Sequence, residues 1–118
     1  MPATMERPHV IQQLRIYEIF EHNKAAFHAR FRDHAMRIMA TYGFRFLALW
    51  ETKGESKTEL AYILEWPDEA AKTAAWAAFM KDEEWAQIKR LTSAEHGTLV
   101  GGIEDRLMTL TAYSPALG

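Results

Sequence analysis

The sequence predicts an α+β fold, a ferredoxin-like βαββαβ sandwich that pairs sheet to sheet with a second copy of itself. Three observations predict it. Strand-like and helix-like segments follow one another in the order strand, helix, strand, strand, helix, strand. Capping and turn residues stand at the boundaries between them. The strand segments are apolar on both faces, which is one face more than two helices can cover.

The single domain, 1–118, opens with residues 1–9, where Pro2, Pro8 and scattered charges read as a loose tail; the ordered core is expected at about 10–113. Gln13 to Glu21 is the first strand, rich in the β-branched and aromatic residues that suit a pleated surface. Asn23 stands where an N-cap belongs, its side chain able to accept a bond from an orphan backbone amide. In the helix that follows, Phe27, Phe31, His34, Ile38 and Tyr42 recur at helical spacing and define one stripe. Gly43 closes the helix, because glycine tolerates the left-handed backbone found there. Phe44 to Thr52 and Glu59 to Trp66 read as the second and third strands, joined by the polar hairpin loop Lys53-Gly54-Glu55-Ser56-Lys57. Pro67 stops the third strand and Asp68 caps a helix that presents Trp76, Phe79 and Met80 inward. Asp82 caps a further helical piece carrying Trp85 and Ile88. Gly97, Gly101 and Gly102 bracket a linker before the fourth strand, Ile103 to Tyr113, and the tail Ser114 to Gly118 is expected to fray. Two split βαβ halves place strands one and three at the centre of the sheet.

Composition excludes several functions. A formal charge of −2 leaves no excess of cations to neutralise phosphates, so nucleic acid and anionic membranes are not expected partners. Cysteine is absent, which rules out disulfides, thiolate metal sites and cysteine nucleophiles. No apolar run approaches the roughly 18 residues of a membrane span. Met1 to Arg15 lacks the apolar stretch of a signal peptide, and the expected location is the cytoplasm. The histidines at 9, 22, 28, 34 and 96 contain no His-x-x-x-His pair, so no metal site is expected, and no cofactor motif is present. Gly101-Gly102 precedes a strand, the wrong context for a phosphate cradle.

The homodimer follows from strand alternation. The third strand sets Leu60, Tyr62, Leu64 and Trp66 against Ala61, Ile63 and Glu65. The second sets Phe46, Ala48 and Trp50 against Leu47 and Leu49; the fourth sets Leu107 and Tyr113 against Met108, Leu110 and Ala112. Helices shield one face only. A second copy is the simplest cover for the other, since closed two-fold pairing is the commonest oligomer geometry and a bare patch invites aggregation.

Five residues are candidates for chemistry. His34, on the helical stripe, has a side chain whose charge changes near neutral pH, so it could act as a general base or equally pack as a core histidine. Arg15 and Tyr17 share one face of a central strand. They could hold an anionic or phenolic substrate as charge and hydroxyl donor, or Arg15 could pair with a carboxylate such as Glu65 or Glu104 across the dimer. Trp50 and Trp66 could wall an aromatic-binding pocket, or serve as core and interface residues. Glu18 and Glu65, on strands buried on both faces, each need a partner and are therefore either salt-bridged or functional.

The opening strand Leu14-Arg15-Ile16-Tyr17 resembles that of the NIPSNAP family. So do the helix with Phe27, Phe31 and His34, its closure by Gly43-Phe44, the following Trp50, and the turn Asp82-Glu83-Glu84-Trp85. The resemblance covers roughly residues 13–113. It departs before the first helix, where relatives often carry Pro-Gly and this chain has Glu21-His22-Asn23-Lys24. The family is similar to the dimeric α/β-barrel superfamily, in which two ferredoxin-like subunits pair through their sheets. That superfamily includes cofactor-free monooxygenases of aromatic compounds, haem-degrading enzymes and lactone isomerases. The resemblance itself implies little about activity, since the family's biochemistry is mostly undefined; the function expected here is a dimeric small-molecule-binding domain or a cofactor-free enzyme acting on a hydrophobic or aromatic compound. A non-catalytic protein-interaction module and a haem binder are the alternatives.

Overall fold

A computed structural model describes residues 10–117. Strand β1 (Ile11–Ile19) runs through the interior of a four-stranded sheet ordered β2-β3-β1-β4, with β2 at Arg45–Lys53, β3 at Thr58–Trp66 and β4 at Val100–Met108. All pairings are antiparallel, and β1 is bonded to β3 on one side and β4 on the other. The crossover from β1 to β2 is one run: a 3-10 turn (Glu21–Asn23), helix α1 (Lys24–Arg30), a π-helical turn (Phe31–Ala35) and helix α2 (Met36–Thr41). The crossover from β3 to β4 holds helices α3 (Glu69–Met80) and α4 (Glu83–His96). This is the expected ferredoxin-like α+β arrangement. No helix among the described residues is long and apolar enough to cross a membrane.

The caps read from sequence are present at α3 and α4. Asp68 accepts from the Ala71 amide at 2.8 Å and Asp82 from the Trp85 amide at 2.7 Å. Each such bond stabilises its helix by about 1 kcal/mol. Gly43 has φ 89°, the conformation that requires glycine at the end of α2.

The core lies between the helices and one face of the sheet. β3 supplies Leu60, Tyr62, Leu64 and Trp66, β1 supplies Tyr17 and Ile19, and the helices add Phe27, Phe31, Ile38, Met39, Phe79 and Trp85. Burying each of these large apolar side chains contributes about 1.5–3 kcal/mol. Aromatic edges lock the layers: the Phe44 ring lies 4.9 Å from Trp66 and 4.8 Å from Trp76, and Phe79 stacks on Trp85 at 5.4 Å.

Four local expectations are corrected. Asn23 caps nothing; its amide donates to the carbonyls of His96 and Thr98 and ties the α4–β4 linker to the first crossover. The π turn inserts one residue into the first helical run and rotates everything after it. The buried stripe is therefore Phe27, Phe31, Ala35, Ile38 and Met39, with His34 turned off it. A bulge at Leu47 resets β2, so that Phe46 and Leu49 face the helices while Ala48 and Trp50 face away. Gly101 and Gly102 lie inside β4 rather than in a linker, because Glu18 packs there; a Cβ on Gly101 would sit 2.6 Å from Glu18 Oε1.

The outer face carries Leu14 and Ile16 from β1, Ala61 and Ile63 from β3, and Ala48 and Trp50 from β2. Its apolar surface stops at β4, where Glu104 and Arg106 pair at 2.9 Å.

Candidate functional site

Polar residues on the buried face of β1 build the site. Tyr17 and Ile19 belong to the core, yet Gln13 and Arg15 precede them on the same face. Gln13 is 1% exposed, and its three side-chain hydrogen bonds all go to other side chains. Its Oε1 accepts from the indoles of Trp66 at 3.0 Å and Trp76 at 2.8 Å, while Nε2 donates to Asp105 at 2.9 Å. The register sets Arg15 between Tyr62 on β3 and Asp105 on β4. Its Nη1 reaches Asp105 at 2.6 Å and Nη2 donates to the Tyr17 hydroxyl at 3.1 Å. The guanidinium lies 4.3 Å from the centre of the Trp76 ring. Burial alone would lower the pKa of Arg15, but the Tyr17 and Tyr62 oxygens outweigh it and keep the group charged. Tyr17 and Tyr62 share a 2.6 Å hydroxyl–hydroxyl bond. Burial, reinforced by Tyr17, pushes the Tyr62 phenol well above the ordinary tyrosine range, so Tyr62 keeps its proton.

Beside this chain of bonds a cleft of about 280 Å³ opens between the sheet and the helices. Its walls are apolar and aromatic, from Phe27 and Phe31 on the first crossover to Trp76, Phe79 and Trp85 on the second. Arg15, Tyr17, Arg30 and Lys89 supply its polar groups, and among the described residues no acidic side chain or histidine lines it. Phe31 and Ala35, the two ends of the π turn, both border it. π turns recur at functional sites because they re-aim a helix face. A larger hollow of about 670 Å³ lies on the outer face, framed by Trp50, Leu47 and Ile63 with Met108, Leu110 and Leu117 of the C-terminal stretch.

Of the residues singled out from sequence, the structure unites Arg15 and Tyr17 in the inner cleft. Arg15 pairs within its own chain with Asp105, not with Glu65 or Glu104; Glu65 is held by Arg45 at 3.0 Å and Glu18 accepts from the Gly102 amide at 3.4 Å. Trp66 is buried, its indole spent on Gln13, and lines neither hollow. Trp50, 50% exposed, stands on the opposite side of the sheet, so the two tryptophans share no pocket. His34 lies on the outside of the π turn with Arg37 at 3.4 Å, away from the cleft. Sequence reasoning missed Gln13, Arg30, Trp76, Asp105 and Lys89. Trp76 alone carried a signal, as an inward aromatic of α3. Among the described residues no group of three or more His, Asp or Glu side chains is placed to hold a metal ion.

The fold is similar to that of several solved structures. A NIPSNAP-like domain protein from Burkholderia xenovorans superposes with a TM-score of 0.77 at 17% identity, over 95% of this chain and 94% of that one. A NIPSNAP family protein from Agrobacterium tumefaciens gives 0.77 at 18% identity, over 91% and 98%. A Streptomyces coelicolor monooxygenase, solved in complex with nanaomycin D, gives 0.58 at 14% identity over 98% and 100%, a likeness of fold alone. No curated protein matches the sequence. The NIPSNAP family profile matches residues 12–115, nearly the whole domain, and the chain belongs to the NIPSNAP family.

Proposed function

We propose that this chain binds a hydrophobic, ring-bearing small molecule in the cleft between sheet and helices, and does so as a homodimer joined through the outer face of the sheet. The observation that carries the reading is the cleft itself, in which aromatic walls meet a small set of fixed polar groups, Arg15 and Tyr17 among them. Its supports are rigid. Tyr17 sits on a central strand, and Gln13 pins both Trp66 and Trp76 behind it. The monooxygenase fold and its bound nanaomycin D accord with a ligand at this level, as an analogy of fold. With His34 outside the cleft, the reading assigns it no proton transfer, and His34→Ala is expected to leave binding unchanged. The apolar outer face, with Trp50 and Leu47 exposed, is the surface a second copy would cover. The cytoplasm is the compartment this reading assumes.

A thermal-shift screen of flat hydrophobic compounds tests the cleft. At a hundredfold excess over its Kd, a ligand should stabilise the domain by about 2.7 kcal/mol. Ile103→Trp fills the cleft from an exposed wall position and should abolish the shift without unfolding the protein. Shifts that survive this filling would place the ligand elsewhere and reject the reading.

A further inference from the structure

The charges around the cleft say what kind of molecule it would take, given that it is a ligand site. Arg15 is balanced by Asp105. Among the described residues nothing of the kind balances Arg30 or Lys89. Arg30 is half-buried and donates from Nη1 to the Thr92 hydroxyl at 3.0 Å, and no carboxylate opposes the desolvation that lowers its pKa. Its guanidinium carbon lies 5.4 Å from the centre of the Trp85 ring, and Lys89 Nζ lies 5.8 Å from the same ring. Two cations thus converge on one indole at a cleft wall that, among the described residues, carries no acid. A desolvated cation without a counter-charge is costly, and an incoming anion would relieve it.

Hydrogen counting adds a donor. Tyr62 is fully buried, and the Tyr17 hydroxyl is its hydrogen-bond partner. Tyr62 keeps its proton, and a buried O–H without an acceptor is expensive, so Tyr62 donates to Tyr17. Arg15 Nη2 donates to the same oxygen. The Tyr17 oxygen is therefore occupied as an acceptor from two sides, and its own hydrogen is left unspent at the cleft wall.

We infer that the cleft selects an organic anion: an apolar ring system bearing a carboxylate or phenolate, with Arg30 and Lys89 taking the charge and Tyr17 donating to an oxygen of the ligand. The proposal rests on the small-molecule reading above, and one experiment separates the two. Calorimetric titration with 2-naphthoate and with its neutral amide, 2-naphthamide, compares one ring system with and without charge. Naphthoate should bind tighter by about tenfold or more, the range expected of a charge-assisted bond. Arg30→Met and Lys89→Met keep the apolar stems and should each remove most of that preference while leaving the amide's affinity in place. Lys57→Met, on the β2–β3 loop, should change neither. Tyr17→Phe alone would strand the Tyr62 hydroxyl, so the donor is tested in the double variant Tyr17→Phe/Tyr62→Phe, which should weaken both ligands. Equal binding of the two ligands, or a naphthoate preference untouched in Arg30→Met and Lys89→Met, overturns the anion assignment and leaves the cleft reading standing. Full affinity in the double variant overturns the role of Tyr17. Heat from neither ligand at millimolar concentration rejects the cleft as a binding site, and the anion assignment with it.

Discussion

Replacing Gln13 by leucine removes the one side chain that holds two tryptophans and an aspartate together. Leucine is close to glutamine in volume, so the cavity contribution is small and hydrogen bonding dominates. Trp66 is 2% exposed, and its indole N–H would be left in the core without an acceptor. That costs about 1–3 kcal/mol. Trp76 is only partly buried and can turn its N–H toward water, which limits its loss to about 0.5–1 kcal/mol. Asp105 keeps Arg15. The sum is about 1.5–4 kcal/mol, which at an m-value of about 2 kcal/mol/M lowers the urea midpoint by roughly 0.8–2 M with the slope unchanged. Unfolding should be followed by tryptophan fluorescence at one fixed protein concentration, since association would add to apparent stability. Gln13→Glu supplies a second reading. The new carboxyl can accept from both indoles but faces Asp105 with no proton between them, so its folded pKa is raised. An acid raised on folding destabilises fully above its folded pKa, and the effect disappears only as pH falls to the unfolded pKa. The deficit should accordingly shrink as pH falls from 7 toward 4.5. A leucine variant within about 0.5 kcal/mol of the parent, or a glutamate variant whose deficit ignores pH, would refute the hydrogen-bond accounting.

Other perturbations test separate parts of the structure. Trp50→Glu puts a charge on the outer sheet face and should convert a dimer to a monomer in sedimentation equilibrium; a parent that is already monomeric removes the proposed interface. The Glu21 carboxyl is held down from 4.5 to about 2 by the Thr58 hydroxyl and by Lys53. A depressed carboxyl stabilises above its unfolded pKa, so this contribution should fade between pH 4.5 and about 2 and be missing at all pH values from Glu21→Gln, measured by thermal unfolding. Asp82→Ala removes both the α4 cap and the acceptor of the Tyr42 hydroxyl, and should cost more than Asp68→Ala, which loses a cap alone at about 1 kcal/mol. Gly101→Ala forces Glu18 aside and should destabilise by about 1 kcal/mol, a loss that Glu18→Ala in the same chain should largely reverse.

Element order, central strands and the helix ends at Asp68, Asp82 and Gly43 were legible in the sequence because each has a local cause. Asp68, Asp82 and Gly43 act on their own backbone neighbours, and a strand's face follows from its neighbours two residues away. Phase was not legible. Helical spacing assumes a uniform turn, and the π turn at Phe31–Ala35 adds a residue that the apolar pattern does not announce; His34 was placed on the inner stripe for that reason. The bulge at Leu47 did the same to Ala48 and Trp50, since one extra residue exchanges the two faces of a strand. Partners distant in sequence were also out of reach. Arg15 and Asp105 are 90 positions apart and meet only once the register of β1 and β4 is fixed. Gln13 was overlooked because a polar residue in a strand reads as facing solvent, unless two indoles happen to need its oxygen.

The position of β1 explains why one strand can serve both the cleft and the outer face. Flanked by β3 and β4, it lets Arg15 reach Asp105 on one neighbour while Tyr17 reaches Tyr62 on the other. An edge strand has a neighbour on one side only and could not carry such a chain of bonds across three strands. The same strand sends Leu14 and Ile16 to the outer face, so the side chains of the proposed dimer face and those of the cleft face alternate along it without being shared. Coupling between the two faces must then pass through the backbone of β1 and β3. That predicts an asymmetry between lesions. A charge at Trp50 should separate protomers and leave the bonds among Asp105, Arg15, Tyr17 and Tyr62 in place. Loss of Asp105 instead releases Nη1 of Arg15 and Nε2 of Gln13 together, and the disturbance runs inward through Tyr17 to a tyrosine hydroxyl that has no other partner among the described residues.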